Sequence, residues 1–372
     1  MRNIYFDNAA STKMRQEVID FLCESYNNVY ANPSAVHTYG RNARALLENA
    51  RKNIASKLNI KPNDLIFTSG ATESNNLAIR GILLKSEKKE IICSSIEHSS
   101  ILTLCDELSK EGYKVKYINI KPNGEIDIEH LKTQISDDTA LITVMAVNNE
   151  TGVKQPLDKI SDLIKGKNIY FHSDAVQLIS KEYFNPYELG LDSFSASPHK
   201  FYGPKGIGLL YIKDDIEISK LMYGGSQERN KRAGTENINS ILATSLALDL
   251  SVQNMEKDNK YLQDLMDYFI SEVSKLNYIK INGENRVNSI ISIQIENQDI
   301  QLLLPMLDMR GIYVSGGSAC MSGSLKASQT LINMGLSEKQ ALSSVRISFS
   351  IYNTKEEIKY LIDTLKNICE GE

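Results

Sequence analysis

The sequence predicts an α/β protein: a large, mostly parallel sheet with helices on both faces, followed by a smaller α/β unit. Three observations carry that expectation. Strand-sized apolar runs alternate with stretches of helical periodicity through the first two-thirds of the chain, as in a sheet covered on both faces. A long helical region then breaks the alternation, and a second, shorter α/β pattern follows it. The 372 residues exceed one ordinary domain, at about 150 residues each.

Over 41–58, apolar residues fall at Ala43, Leu46, Leu47, Ala50, Ile54 and Leu58, one face of a helix. Leu65–Thr68 reads as a strand, Ser69-Gly70 as a turn, and a helix begins near Thr72. The alternation repeats with a strand at 91–93 and a helix at 100–109, then a strand at 140–147 and a helix at 157–164. Further strands are expected at 169–171, 191–196 and 207–212. The helical region runs over 237–276, and its polar run Glu256-Lys257-Asp258-Asn259-Lys260 marks the expected domain boundary. Beyond it, Ile291, Ile293 and Ile295 alternate with Ser292 and Gln294, a strand with one polar face. A helix at 302–309, a strand at 345–349 and a terminal helix at 354–368 complete the pattern. The expected division is a large unit at 15–255 and a small one made of 1–14 and 256–372.

Composition narrows the function. The net charge of −4 gives no basic bias toward nucleic acid. Gly and Pro make up about 8% of the chain against a usual level of about 12%, which excludes collagen-like or low-complexity sequence. The first residues are too short an apolar stretch for a signal peptide, and no run reaches the roughly 20 residues of a membrane span. Five cysteines (Cys23, Cys93, Cys105, Cys320, Cys369) lack C-x-x-C spacing, so no zinc or disulfide framework is indicated. Scattered thiols in odd number suit a reducing compartment, and a cytoplasmic location is expected.

In open parallel sheets ligands sit beyond the carboxyl ends of the strands, so the residues that follow each strand matter most. Ser69-Gly70-Ala71-Thr72 suits a phosphate at a helix N-terminus, or is a plain turn with Thr72 as cap. Lys200, between a strand and the glycine-rich turn Gly203-Pro204-Lys205-Gly206, suits a Schiff-base lysine or a solvated loop lysine. Asp174 at a strand end suits a protonated pyridine nitrogen or caps the next segment. His98 suits ring stacking, proton movement or capping. Arg346 inside a strand suits a substrate carboxylate or a structural ion pair. Cys320 lies in Ser315-Gly316-Gly317-Ser318-Ala319-Cys320-Met321-Ser322-Gly323-Ser324, which reads as a mobile, exposed loop at about 315–325. The other four cysteines neighbour apolar residues and read as small core hydrophobes.

Taken in order, these residues resemble one family. Asp7-Asn8-Ala9-Ala10, Asn32-Pro33-Ser34, Thr68 through Asn76, Glu97-His98, Asn148-Asn149-Glu150, Asp174-Ala175-Val176-Gln177, Ser197-Pro198-His199-Lys200, Gly224 through Glu228, Arg232 through Asn237, Ser318-Ala319-Cys320 and Arg346 span almost the whole chain. The chain resembles the cysteine desulfurases of the nitrogen-fixation and iron–sulfur housekeeping type, in the class V aminotransferase group of pyridoxal phosphate enzymes of fold type I. The resemblance implies that Lys200 bonds the aldehyde of pyridoxal 5'-phosphate, that Asp174 pairs with the ring nitrogen, that Gln177 bonds the ring hydroxyl, and that His98 stacks on the ring and helps move protons. It implies that Ala71, Thr72, Ser197 and His199 hold the phosphate, with Thr235 reaching it from the neighbouring subunit of a homodimer. Asn149 and Arg346 would bind the carboxylate of L-cysteine. Cys320 would accept the sulfur, pass it to an iron–sulfur scaffold or a tRNA-thiolation enzyme, and serve at most as a transient ligand of an iron–sulfur cluster, with no resident metal. Neither nucleic acid nor membrane is an expected direct partner. Selenocysteine lysis or transamination on the same fold, and a non-catalytic partner-binding scaffold, are the alternatives. Met321 stands where the family usually has a small polar residue, and Ala327-Ser328-Gln329 where Ser-His is common.

Overall fold

The computed structural model describes residues 3–317 and 326–370. After β1 (Ile4–Tyr5), seven strands build the large sheet: β2 (Leu65–Thr68), β3 (Glu90–Ser94), β4 (Lys114–Ile118), β5 (Thr139–Thr143), β6 (Tyr170–Asp174), β7 (Ser193–Ala196) and β8 (Gly208–Ile212). Their order is β2-β8-β7-β6-β5-β3-β4. β8 runs antiparallel to β2 and β7, and the remaining pairs are parallel. A second sheet holds β9 (Ile279–Asn282), β10 (Ile290–Ile295) and β12 (Ser344–Ser348) in the antiparallel order β12-β10-β9, while β1 pairs in parallel with β11 (Ile312–Tyr313).

Burial on both faces explains the unbroken apolar runs of the large sheet. Successive residues of one strand enter opposite cores. Phe67, Ile92 and Ile142 join the cluster under the helices Thr38–Lys57 and Ile238–Gln253, whereas Ile66, Ile91 and Leu141 pack with the helices Ala71–Leu83 and Ser99–Lys110. A third core gathers Leu265, Phe269, Ile293, Ile347 and Leu361 around the second sheet.

The structure moves several expected boundaries. The expected strand at 140–147 stops at Thr143, because the Met145 N–H turns to the Glu97 carboxylate at 2.6 Å and the chain folds back, Asn148 N–H meeting the Val153 carbonyl at 2.9 Å. The long helical region breaks at Asn254, between Ile238–Gln253 and Met255–Val273, and the polar run 256–260 is the start of the second helix, with Glu256, Lys257 and Lys260 exposed and Asp258 and Asn259 half-buried. β4 went unforeseen because its KVKYI pattern belongs to an edge strand, whose charges mask the apolar signal. The polar positions of β10 are buried: Ser292 accepts from Asn282 Nδ2 at 2.9 Å. Among the cysteines read as core residues, Cys93 and Cys105 are buried, but Cys23 is exposed on the helix Gln16–Asn28, whose buried side is Val18 and Ser25.

Candidate active site

The ends of β3, β5, β6 and β7 meet the N-terminus of the helix Ala71–Leu83 and the edge of the second sheet around a cavity of about 420 Å³. That volume lies within the range of small-molecule and cofactor sites, roughly 300–1,000 Å³.

One end suits an anion. Ala71 opens its helix behind Gly70, an N-cap residue without a side-chain cap, and Ala71 and Thr72 line the cavity. The first-turn N–H groups and the positive end of the helix dipole therefore face ligand space. Thr72 is inside the helix and does not cap it. The loop can lie this low because β8 begins with glycine: a Cβ on Gly208 would come within 2.4 Å of the Gly70 carbonyl carbon. Glu73 steadies the loop from behind, accepting from the Ser69 N–H at 2.7 Å while Arg232 Nε holds its other oxygen at 2.8 Å. Ser197 and His199 border the same cavity. Burial, with Lys200 and Lys205 adding repulsion, pushes His199 down to about 4, so its ring is neutral near pH 7.

The floor is a hydrogen-bond net beneath Asp174, the last residue of β6. Its two oxygens accept from Asn75 Nδ2 at 2.9 Å and from the Val176 N–H at 3.0 Å. Asn75 reaches further, to Ser100 Oγ at 3.0 Å and to His172 Nε2 at 3.1 Å. The Asn75 carbonyl can only accept, so His172 carries its proton on Nε2, and Nδ1 accepts from the Ser193 hydroxyl at 2.8 Å. Burial drives His172 down to about 3, which keeps that ring neutral. His98 lines the cavity and also caps the helix Ser99–Lys110, its Nδ1 accepting from the Ser100 N–H at 3.2 Å. Burial lowers its pKa, Asp174 opposes that shift, and Lys200 adds to it. Capping and lining are thus compatible.

Lys200 ends the short turn Pro198–Lys200 after β7. Its Nζ donates to the Ala9 carbonyl at 2.6 Å and the Ala10 carbonyl at 2.8 Å, facing the same cavity as Asp174. This geometry rules out the solvated-loop reading. Gln177 lines the cavity too, and its Nε2 donates to the Ala9 carbonyl at 2.9 Å. On the far side, Arg346 from β12 pairs with Asp7 Oδ1 at 2.6 Å and donates to the Asn149 carbonyl at 3.0 Å. The ion pair and the cavity wall are one residue's two roles, because Asn149 and Arg346 both line the site.

Thr235 is exposed and does not line the cavity of its own chain, the resemblance having assigned it to the neighbouring subunit's site, and Cys320 lies outside the described residues. The sequence reading missed Asn75, His172, Asp7 and Glu97 as parts of the site. Asn75 had a usable signal: it lies one turn after Thr72 on the same helix face. Glu97 is buried, which pushes its carboxyl up to about 8.

Residues 4–361 match the family model for class V aminotransferases. The chain is 41% identical over 374 residues to cysteine desulfurase IscS of Dictyoglomus turgidum, covering 99% of this chain and 95% of the relative. Among solved structures, a NifS-like protein shares 33% identity with a TM-score of 0.93, covering 100% of both chains. The structure of SspA in complex with cysteine shares 33% identity with a TM-score of 0.84, covering 95% of this chain and 100% of that one. Among the described residues no helix is long and apolar enough to cross a membrane. A cavity walled by Lys200 and Asp174 at the strand ends, in a chain alike from end to end, places this protein in the class V aminotransferase family of pyridoxal phosphate enzymes, among its cysteine desulfurases.

Proposed function

We propose that the cavity binds pyridoxal 5'-phosphate at Lys200 and that the protein takes the sulfur of L-cysteine onto Cys320, leaving L-alanine. The observation that carries this reading is the convergence of an amine, a buried carboxylate and an uncapped helix N-terminus on one cavity. Those groups fit the cofactor's aldehyde, protonated ring nitrogen and phosphate. Bound there, the cofactor would supply the electron sink for the substrate carbon that loses its proton.

The chain's own residues divide the remaining work. Asp174, held from two sides, presents a fixed negative charge to the ring nitrogen. His98, its pKa lowered by burial and its Nδ1 taken by the Ser100 N–H, offers a flat face and an Nε2–H through which a proton can move. Ala71, Thr72, Ser197 and His199 hold the phosphate, Thr235 reaching it from the second subunit of a homodimer. Arg346 and Asn149 take the substrate carboxylate. Lys200, when its amine is free, would be the base that takes the proton from the α-carbon. Cys320 as thiolate would attack the substrate sulfur, the carbon–sulfur bond breaking with its electron pair left on carbon, where a proton completes the methyl group of alanine, and a persulfide would remain for an acceptor protein of iron–sulfur assembly or tRNA thiolation. The large unit 15–255 carries the cofactor. The small unit, 1–14 with 256–372, carries Cys320, and the cytoplasm suits a thiol nucleophile. The relatives' printed names and the cysteine held by SspA support this choice over transamination.

A paired experiment tests it. Purified K200A loses the visible band of the lysine-bound cofactor, and alanine release from cysteine falls by about a thousandfold or more. C320A keeps the band and loses persulfide formation. Full persulfide formation by C320A refutes the assignment of the sulfur acceptor, and an unchanged band in K200A refutes the assignment of the lysine.

A further inference from the structure

Next to Lys200 the fold places a second lysine that the mechanism above does not use. Lys181 closes the turn that leaves β6, directly after Ser180, which holds a left-handed backbone at φ 66°. The turn folds Lys181 back over Gln177, and its Nζ donates to Gln177 Oε1 at 2.8 Å. Asn259, from the helix Met255–Val273, fixes the backbone by donating to the Lys181 carbonyl. Lys181 and Lys200 also share a small cavity of about 30 Å³ with Asp258 and Tyr202. Asp258 is engaged elsewhere, by Arg15 at 2.7 Å, and Tyr202 is pushed up to about 12 by burial and so stays neutral. Among the described residues, Gln177 is the one hydrogen-bond partner of the Lys181 amine.

A carboxamide has two chemically different ends, and its neighbours decide which faces where. An ammonium can only donate, so Lys181 claims the oxygen of Gln177. The Ala9 carbonyl can only accept, so it claims the nitrogen, at 2.9 Å. Both neighbours demand the same orientation. One N–H bond of Gln177 is used on Ala9, which leaves the second as a donor for a ligand in the cavity Gln177 lines.

We propose that Lys181 is a positioning residue of this site: it commits the Gln177 oxygen to itself, so that Gln177 offers a bound ring oxygen a hydrogen-bond donor and not an acceptor. The inference rests on the proposed binding of pyridoxal 5'-phosphate at Lys200. A donor at that place stabilises the ionised ring oxygen and so helps the lysine-bound cofactor lose its proton at lower pH. Burial, and then Lys200, push the Lys181 amine down to about 7, and a negative ring oxygen beyond Gln177 favours the ammonium form again.

The test is a spectrophotometric pH titration of the cofactor-loaded protein, with K181M, K181R, Q177L and the K181M/Q177L double variant beside the parent. K181M moves the midpoint of the visible band up by about one pH unit. K181R, which keeps a cationic donor, restores the parent midpoint, and the double variant titrates like Q177L alone, because Lys181 acts through Gln177. K181Q, a second replacement with one neutral donor, recovers part of the shift. A parent-like midpoint in K181M overturns the inference. So does a double variant that adds the whole K181M shift to that of Q177L, since Lys181 would then act by charge alone. A parent protein that forms no lysine-linked band refutes the proposed cofactor site itself, a result distinct from a loaded parent with an unresponsive K181M.

Discussion

The two sides of the cavity are held in different ways. The floor beneath Asp174 belongs to the large sheet, and Asn75, Ser100, His172 and Ser193 satisfy one another there before any ligand arrives. The wall opposite comes from the second sheet, where Arg346 gives one nitrogen to Asp7 and another to the Asn149 carbonyl, and its Nε is buried without a partner among the described residues. A net in which Asn75, Ser100, His172 and Ser193 are paired among themselves resists reorganisation, which on the proposed reading suits a group that must hold a ring nitrogen at one place and one charge. A guanidinium already paired with a carboxylate can share its charge with an arriving substrate carboxylate and recover the pair on release. On the proposed function, the difference separates residues that set the chemistry from residues that set the affinity.

Substitution on the floor has the largest effect. D174N keeps the size of the side chain and an oxygen for one of its two donors, but it removes the charge offered to the ring nitrogen. Turnover falls by about a hundredfold to a thousandfold, the range seen when a preorganised electrostatic group is removed. KM for cysteine changes far less, and the protein still binds the cofactor. Steady-state kinetics with the visible spectrum of the loaded enzyme checks this. Equal losses in turnover for D174N and for a wall variant would erase the distinction between the two sides.

Substitution on the wall comes next. R346K keeps a cation but loses the two-pronged geometry shared between Asp7, Asn149 and a carboxylate. KM for cysteine rises by about tenfold or more while the visible spectrum of the cofactor is unchanged, because loss of one charge-assisted hydrogen bond costs about 1.5–3 kcal/mol. A spectral change in R346K would place Arg346 against the ring and not against the substrate.

How much of this was legible in the sequence follows from how far each role reaches along the chain. The anion-facing turn at Gly70-Ala71-Thr72 is local: a strand, small residues and a helix start suffice to predict it, and Gly208 beneath it only deepens the fit. Lys200 and Asp174 were visible because strand ends announce themselves. The net that holds them was not. Asn75 meets Asp174 across 99 positions, and Asp7 meets Arg346 across 339, so neither pair leaves a mark in any local pattern. Arg346 could be read as ion pair or anion site because it is both. The break between helices was misplaced for a related reason: the polar run 256–260 has the composition of a linker but continues a helix, with Asp258 paired to Arg15 243 positions away, and only the backbone at Asn254 marks the change.

Glu97 carries the smallest effect and tests how dry the floor is. Its carboxyl is buried beside Asp174, accepts from the Met145 N–H at 2.6 Å, and is pushed by burial up to about 8. A folded-state pKa above the unfolded value means that the native protein keeps a proton which the unfolded chain releases from about pH 4.5 upward. Glu97 therefore costs nothing below pH 4.5 and takes away stability progressively as pH rises toward 8. E97Q keeps an oxygen for Met145 and never ionises, so it removes that slope. Thermal melts should show the two proteins within about 1 kcal/mol at pH 5 and E97Q the more stable at pH 8, by about 4 kcal/mol. A difference that does not grow with pH would mean the Glu97 carboxylate is ionised in the native state, with a water or cation reaching it. The floor would then be wetter than its closed hydrogen-bond net implies, and D174N would cost less than a hundredfold.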